Sequence, residues 1–239
     1  MVTPYGLELV EDCVRCARRD ETRFCQLEPA TLARFDAIKF AAAYPKGALL
    51  FVEGQTPRGV YLLCAGRVKL STTARDARVL ITRIAEPGEL LGLSAALAGT
   101  PHETTAETLD TCQINFIRRE EFLRLLALHG DAALRVARQL SQDYTAALAQ
   151  ARVLGLAHSA AAKLAHFLLA ACARSGQTNG HGLTLKLTLT HEEIGQLIGA
   201  SRETVTRLFS EFKQAHLIDV KGASLTLYDQ PGLQALADA

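Results

Sequence analysis

Residues 190–212, THEEIGQLIGASRETVTRLFSEF, constrain the fold of this chain more than any other stretch. Thr190 stands three residues before Glu193, the spacing at which a threonine hydroxyl caps a first helical turn while the glutamate reaches back to the cap. Ile194, Leu197 and Ile198 then recur at helical spacing until Gly199-Ala200 ends the pattern. Ser201 offers a second cap, and Val205, Leu208, Phe209 and Phe212 line one face of the helix that follows. Two short amphipathic helices divided by Gly-Ala-Ser read as a helix-turn-helix. The segment beyond them, AHLIDVKGASLTLYD, reads as a hairpin or wing bending at Lys221-Gly222.

The second helix turns Arg202, Glu203, Thr206 and Arg207 away from its apolar face. Arg202 presents a donor fork suited to guanine O6 and N7, Glu203 an acceptor for cytosine N4, and Arg207 a reach to base or phosphate. Base contacts of this kind specify a sequence, whereas phosphate contacts set register. Arginine and glutamate on a helix are by themselves an ordinary solvated face. The two caps, the small-residue turn and the wing shift the reading to double-stranded DNA as partner.

Bulk properties are compatible with that partner without requiring it. The 239 residues carry 26 Lys and Arg against 25 Asp and Glu, a net charge of +1, so local placement of charge decides. No stretch reaches the roughly 18 apolar residues of a membrane span. The start, MVTPYGLELVEDC, has neither a basic leader nor an apolar signal core, and a cytoplasmic protein is expected. Lasting disulfides are rare there, so six cysteines need another account. No Walker loop, HExxH motif or nucleophile elbow occurs, and no enzyme is expected.

Ahead of the helix-turn-helix the chain changes character twice. PATLARFDAIKFAAAYPKG at 29–47 reads as a short helix with Leu32, Phe35 and Ile38 on one face. ALLFVEG, GVYLLCAGRVKLSTT, ARVLITRIAEPGELLG and TAETLDTCQINFI follow as short apolar runs punctuated by turns, predicting an antiparallel barrel or jelly roll. From about residue 118 strong helix formers dominate. Leu134, Ala137, Ser141, Tyr144, Leu148 and Ala151 follow a 3/4 spacing that suits a two-stranded seam, although one helix buried in a monomer would carry a similar pattern. The expected domains are a cysteine-containing segment at 1–28, a β-roll at 29–130, a dimerisation helix at 131–157 and a winged helix-turn-helix at 158–239.

Cys13, Cys16 and Cys25 sit at the amino end, and with Cys112 they can supply four thiolates. Soft sulfur ligands suit an iron–sulfur cluster or tetrahedral zinc, while a thiol/disulfide switch or a charged loop with no metal are the plainer readings. Cys64 in VYLLCAG and Cys172 in FLLACA fall in apolar patterns and are expected in cores. His102, His158 and His166 lack an organised set of partners for haem, and His181 and His191 are expected at the surface.

THEEIGQLIGASRETVTRLF at 190–209, GRVKL at 66–70, PGELLG at 87–92 and the long helix between them resemble the CRP/FNR bacterial transcriptional regulators, over essentially the whole chain. The resemblance implies an α+β chain: a cyclic-nucleotide-binding-like β-roll (jelly roll) sensor, a long dimerisation helix and a winged helix-turn-helix. It implies a homodimer on palindromic promoter DNA that acts on RNA polymerase. Arg202, Glu203 and Arg207 match base-reading positions of the cyclic-AMP receptor branch, which implies TGTGA-like rather than TTGAT half-sites. Cyclic AMP itself is not the expected effector. Leu93 stands where that branch has a ribose-binding glutamate, and Glu103-Thr104 where it has a phosphate-binding Arg-Ser pair; a carboxylate there repels phosphate. The FNR branch instead implies a [4Fe-4S] cluster on Cys13, Cys16, Cys25 and Cys112, although the gap before Cys25 is longer than in the enteric pattern. Zinc, thiol/disulfide or small-effector control of the same DNA-binding chain is the alternative. A β-roll interaction protein without DNA binding is the alternative from another class.

Overall fold

The computed structural model describes residues 5–7, 9–16, 24–179 and 182–238, and its first element is α1 (Pro29–Ile38). Proline suits the first turn because its missing N–H has no intrahelical partner there anyway. Leu32, Phe35 and Ile38 are buried along one face, as their spacing predicts. The helix then stops short of the expected turn. Residues KFAAAY form β1 (Lys39–Tyr44) and pair over their whole length with β8 (Cys112–Arg118), from Lys39 opposite Ile117 to Tyr44 opposite Cys112. Sheet pairing overrides the helix preference of three alanines.

Between these strands lie β2 (Leu49–Phe51), β3 (Gly59–Ala65), β4 (Val68–Thr73), β5 (Val79–Ala85), β6 (Leu90–Leu91), the short helix α2 (Leu93–Ala98) and β7 (Thr105–Thr108). They make two four-stranded sheets, ordered β1-β8-β3-β6 and β2-β7-β4-β5, with antiparallel pairings. This is the expected β-roll. α2 carries no cap or periodicity long enough to announce it.

Strand alternation sorts the core of the roll into two clusters. On β3, Val60 and Leu62 enter a cluster with Phe24, Phe35 and Phe122, and Cys64 packs against the same cluster. Leu63, one residue out of step, joins Val68, Leu91, Cys112 and Ile114 in the other. β8 alternates likewise, with Ile117 in the first cluster and Cys112 and Ile114 in the second.

After β8 come α3 (Arg119–Leu128) and the 27-residue α4 (Gly130–Leu156). Residues 1–77 with 81–146 make one compact unit; 78–80 with 147–239 make the other, so the division falls within α4 rather than at its end. At about 100° per residue, Ala132, Val136, Gln139 and Asp143 fall on one side of α4, and the predicted seam on the opposite side. Ala132 and Val136 are buried, whereas Leu134, Tyr144 and Leu148 are exposed.

The second unit opens with α5 (Ala160–Ser175), whose cap Ser159 accepts from Ala162 N–H. β9 (Gln177–Asn179), β10 (Gly182–Lys186), α6 (His191–Ile198), α7 (Arg202–Gln214), β11 (Ile218–Lys221), β12 (Ser224–Leu227) and α8 (Gln230–Ala237) follow. β11 and β12 form the expected wing, and β10 and β9 extend it into a sheet ordered β11-β12-β10-β9. α8, capped by Asp229 with proline in its first turn, is an addition that the sequence reading did not foresee. Among the described residues no helix is long and apolar enough to cross a membrane.

Candidate functional site

Side chains of β8 and α1 hold the described part of the amino-terminal segment by hydrogen bonds. Gln113 of β8 clamps Val10, accepting from its N–H at 3.1 Å and donating to its carbonyl at 2.7 Å. Asp36 of α1 accepts from Cys13 N–H at 2.9 Å and pairs with Lys39 at 2.8 Å. Cys13, Cys16 and Cys25 thereby line one pocket, and the fourth cysteine in it is Cys64. Val10, Gln113 and Asn115 complete the lining. None of the six cysteines is in a disulfide. Residues 17–23 and His181 lie outside the described residues.

Cys112 is not in this pocket. Alternation on β8 sends Gln113 and Asn115 to the pocket side and Cys112 and Ile114 to the roll interior. Cys112 Sγ lies 3.4 Å from Arg67 carbonyl oxygen and 3.3 Å from that of Asp110. Gly66 makes room for it: at φ +84° a Cβ would fall 2.5 Å from that sulfur, so this corner requires glycine. Of the expected set, the structure brings Cys13, Cys16 and Cys25 together in one pocket with Cys64, and places Cys112 in the roll interior. Cys64 packs against the core cluster as expected and also lines this pocket, because β3 pairs with β8 in a register that faces it towards Asn115. Cys172 is buried as expected.

Burial dominates the electrostatics of these thiols. It pushes Cys13 up to about 12, against the opposing pull of Lys39, and raises Cys64 further still. Cys112 rises to about 11 for the same reason. Bare thiolates are thus disfavoured, as expected of thiols in apolar surroundings. Asn115 is fully buried, with Nδ2 3.6 Å from Cys13 Sγ and Oδ1 lacking a hydrogen-bond partner among the described residues. Among the described residues no three His, Cys, Asp or Glu side chains are already spaced as a metal centre. The donor set nevertheless fits a thiophilic group, since four cysteines line one pocket together with an amide donor.

Hydrogen bonds lead from this pocket to α4. Phe24, next to Cys25, donates its N–H to Gly88 at 3.4 Å. Leu63, next to Cys64, accepts from Gly88 N–H at 2.7 Å and donates to Glu89 at 2.9 Å. One residue further on, Gln139 of α4 clamps Leu90, accepting from its N–H at 2.9 Å and donating to its carbonyl at 2.7 Å. Arg83 pairs with Glu89 and with Asp143 of α4, the latter at 3.5 Å. At the start of α4, Asp131 accepts from Glu28 N–H and from the Thr31 hydroxyl, both at 2.8 Å.

In the second unit both expected caps are present. Thr190 and Glu193 form the reciprocal capping box, and Ser201 Oγ accepts from Thr204 N–H at 3.2 Å. Gly199 ends α6 with φ 68°, and a Cβ on Gly195 would meet Ala200 oxygen at 2.6 Å, so the two helices turn where the small residues predict. Arg202, Glu203, Thr206 and Arg207 are all exposed. Glu203 is held below the usual carboxylate range by its own backbone N–H and by Ser201. Arg207 pairs with Glu211 at 2.6 Å, and Thr206 Oγ1 donates to Arg202 oxygen at 3.0 Å. His191, expected merely at the surface, stacks on Phe209 at 4.8 Å and meets Thr206 Oγ1 at 2.8 Å, tying α6 to the exposed face of α7. Gln150 of α4 donates to Leu197 oxygen at 2.8 Å.

The residues that the resemblance places at a nucleotide pocket of the roll are Leu93, Glu103 and Thr104. Leu93 is buried, and Glu103 accepts from Ser94 Oγ at 2.9 Å. His102 is buried and stacked on Phe51 at 3.9 Å, and burial lowers its pKa, so it is a core aromatic.

Comparison with known proteins agrees with this geometry. The cyclic nucleotide-binding domain family matches residues 41–129, and the Crp-like helix-turn-helix domain family matches 162–236. The transcriptional activator protein FnrA of Stutzerimonas stutzeri is 29% identical over 94% of this chain and 95% of its own. The CRP-like cAMP-activated global transcriptional regulator of Mycobacterium tuberculosis is 26% identical, over 88% and 93%. FixK2 of Bradyrhizobium japonicum has the same fold, with a TM-score of 0.73 at 21% identity over 84% of this chain and 98% of that one. A roll followed by a Crp-like helix-turn-helix defines a DNA-binding regulator rather than an enzyme. The two domains and their order are those of CRP/FNR-type transcriptional regulators, to which the chain is similar over most of its length.

Proposed function

We propose that this regulator works as a homodimer on palindromic promoter sites with TGTGA-like half-sites, recruiting or blocking RNA polymerase in the cytoplasm. Oxygen or redox state would switch it through a group held by Cys13, Cys16 and Cys25 with a fourth thiol. The observation that carries the DNA reading is the exposed quartet Arg202, Glu203, Thr206 and Arg207 on a helix capped at Ser201. Arg202 reads guanine, Glu203 accepts from cytosine, and Arg207 shares its charge between Glu211 and the duplex. The exposed stripe of Leu134, Tyr144 and Leu148 supplies the pairing surface that would bring two α7 helices to successive major-groove faces.

When bound, an iron–sulfur cluster supplies an oxygen-sensitive cross-link among its thiolates. The protein's part is mechanical. Cys25 adjoins Phe24, whose buried ring packs 5.5 Å from Phe35 and 6.4 Å from Phe122. Holding Cys25 holds that ring and its bond to Gly88; letting it go loosens the turn that Gln139 reads. Binding anisotropy with TGTGA and TTGAT palindromes at one salt concentration, on anaerobic and air-exposed protein, tests the whole reading. Preference for TGTGA and an affinity that changes with air are expected. Preference for TTGAT removes the site assignment, and equal affinities before and after air remove the switch.

A further inference from the structure

The pocket contains one cysteine more than the amino-terminal trio, and it lies on β3. We infer that Cys13, Cys16, Cys25 and Cys64 build one site for a thiophilic metal centre, iron–sulfur or tetrahedral zinc, from which Cys112 is excluded. The inference rests on the cysteine-held switch proposed above and assigns its ligands.

Strand geometry makes the choice. Cys64 follows Val60 and Leu62 on the face of β3 that looks toward the amino-terminal segment, and Asn115 and Gln113 occupy the matching face of β8. Cys112 lies on the other face of β8, against Gly66, Arg67 and Asp110. Bringing it to the pocket would require a one-residue slip of β8, which would carry fully buried Ile114 out of its cluster as well. The remaining thiols can adapt more easily. Cys13, Cys16 and Cys25 stand on turns and irregular backbone, so closing the coordination sphere moves them onto a fixed Cys64.

Asn115 points independently to an occupant. It is fully buried, lines the pocket with four cysteines, offers Nδ2 toward Cys13, and leaves Oδ1 without a partner among the described residues. A carboxamide is a poor choice for an apolar core, where every buried polar atom needs a partner. It is a useful one beside metal-bound thiolates, whose sulfurs accept hydrogen bonds that tune the centre.

The test uses full-length protein prepared anaerobically, reconstituted with ferrous iron and sulfide or, separately, with zinc alone. Bound iron, sulfide and zinc per chain are read after desalting, with circular dichroism as the check on folding. Cys64→Ser should lose the metal as Cys13→Ser does, while Cys112→Ser keeps the wild-type amount. Iron with sulfide or zinc alone identifies which centre is held, and either supports the site. Metal kept by Cys64→Ser but lost by Cys112→Ser overturns the ligand assignment and leaves the cysteine-held switch standing. Wild-type protein that holds neither metal overturns both. Should Cys64→Ser fail to fold, alkylation of the wild-type protein followed by mass spectrometry decides. Cys64 should be shielded when metal is bound and labelled when it is removed; equal labelling overturns the assignment.

Discussion

Gln139→Met tests the link between the roll and α4. The glutamine makes two hydrogen bonds to the backbone of Leu90, at 2.9 and 2.7 Å, and Leu90 is 1% exposed. Methionine matches its length and helix propensity but can neither accept from that N–H nor donate to that carbonyl. A net loss of about 1 kcal/mol per bond sets the floor, and stranding buried Leu90 groups costs about 1–3 kcal/mol each, so the range is about 2–6 kcal/mol. With a urea slope of about 2 kcal/mol per molar, the roll's unfolding midpoint should fall by about 1–3 M. Far-UV circular dichroism would follow it, and hydrogen exchange at Leu90 would separate the roll from the second unit. Gln142→Met is the control, because Gln142 is exposed on the same helix and should change stability by less than about 0.5 kcal/mol. Equal midpoints for the two variants would refute the clamp.

The other expectations are narrower. Arg202→Ala should cost about 1–3 kcal/mol at one guanine of the half-site in binding anisotropy, and equal weakening on mismatched DNA would reassign Arg202 to the backbone. Leu148→Glu should turn a dimer into a monomer by light scattering and reduce operator affinity with it; an unchanged mass would remove the α4 stripe as the pairing surface. Thr190→Ala deletes the capping box of α6 and should destabilise the second unit by about 1 kcal/mol in chemical denaturation. Partial burial raises the Asp131 carboxyl, but hydrogen bonds from Glu28 N–H and Thr31 outweigh it and lower the pKa. Its contribution is therefore present above the unfolded value of about 4 and lost as pH falls through the lower folded value. Asp131→Asn should remove that part of the acid limb in a pH series of midpoints, and an unaltered limb would count against it.

The helix-turn-helix was legible because every device in it is local. A cap and its partner lie three residues apart, a buried stripe repeats within two turns, and Gly199 marks its own stop. The roll was legible as a class for the same reason, from short apolar runs and turn residues. The thiol pocket was not, because it depends on pairing between strands about 50 residues apart. VYLLCAG looks uniformly apolar, and only the register of β3 on β8 reveals that Cys64 shares a face with Asn115 rather than with Leu63. The alternation of AETLDTCQINF offered one usable hint, since Cys112 is in phase with Ile114 and out of phase with Asn115. FAAAY and α8 failed differently: alanine-rich and short segments take their form from what they pack against.

Cys25 and Cys64 each adjoin a residue that hydrogen-bonds to the turn at residues 88–89. Cys25 adjoins Phe24, which donates to Gly88; Cys64 adjoins Leu63, which bonds both Gly88 and Glu89. Leu90, the next residue, is held by Gln139. A group joining Cys25 to Cys64 would therefore brace both sides of residues 88–89, and losing it would loosen the Phe24 side. Such a group shifts the protein only by its difference in affinity for the clamped and unclamped arrangements. If the two bonds of Gln139 are the whole difference, about 2 kcal/mol is available, which corresponds to about 30-fold in DNA affinity and lies within the usual range of coupling energies. Reciprocity then supplies a strict check. Gln139→Met should collapse the ratio of metal-loaded to metal-free DNA affinity toward one while leaving metal binding in place. A ratio that survives the substitution would mean that the thiol pocket reaches the DNA-reading helix by another route, with Asp131 and its bonds to Glu28 and Thr31 the next to alter.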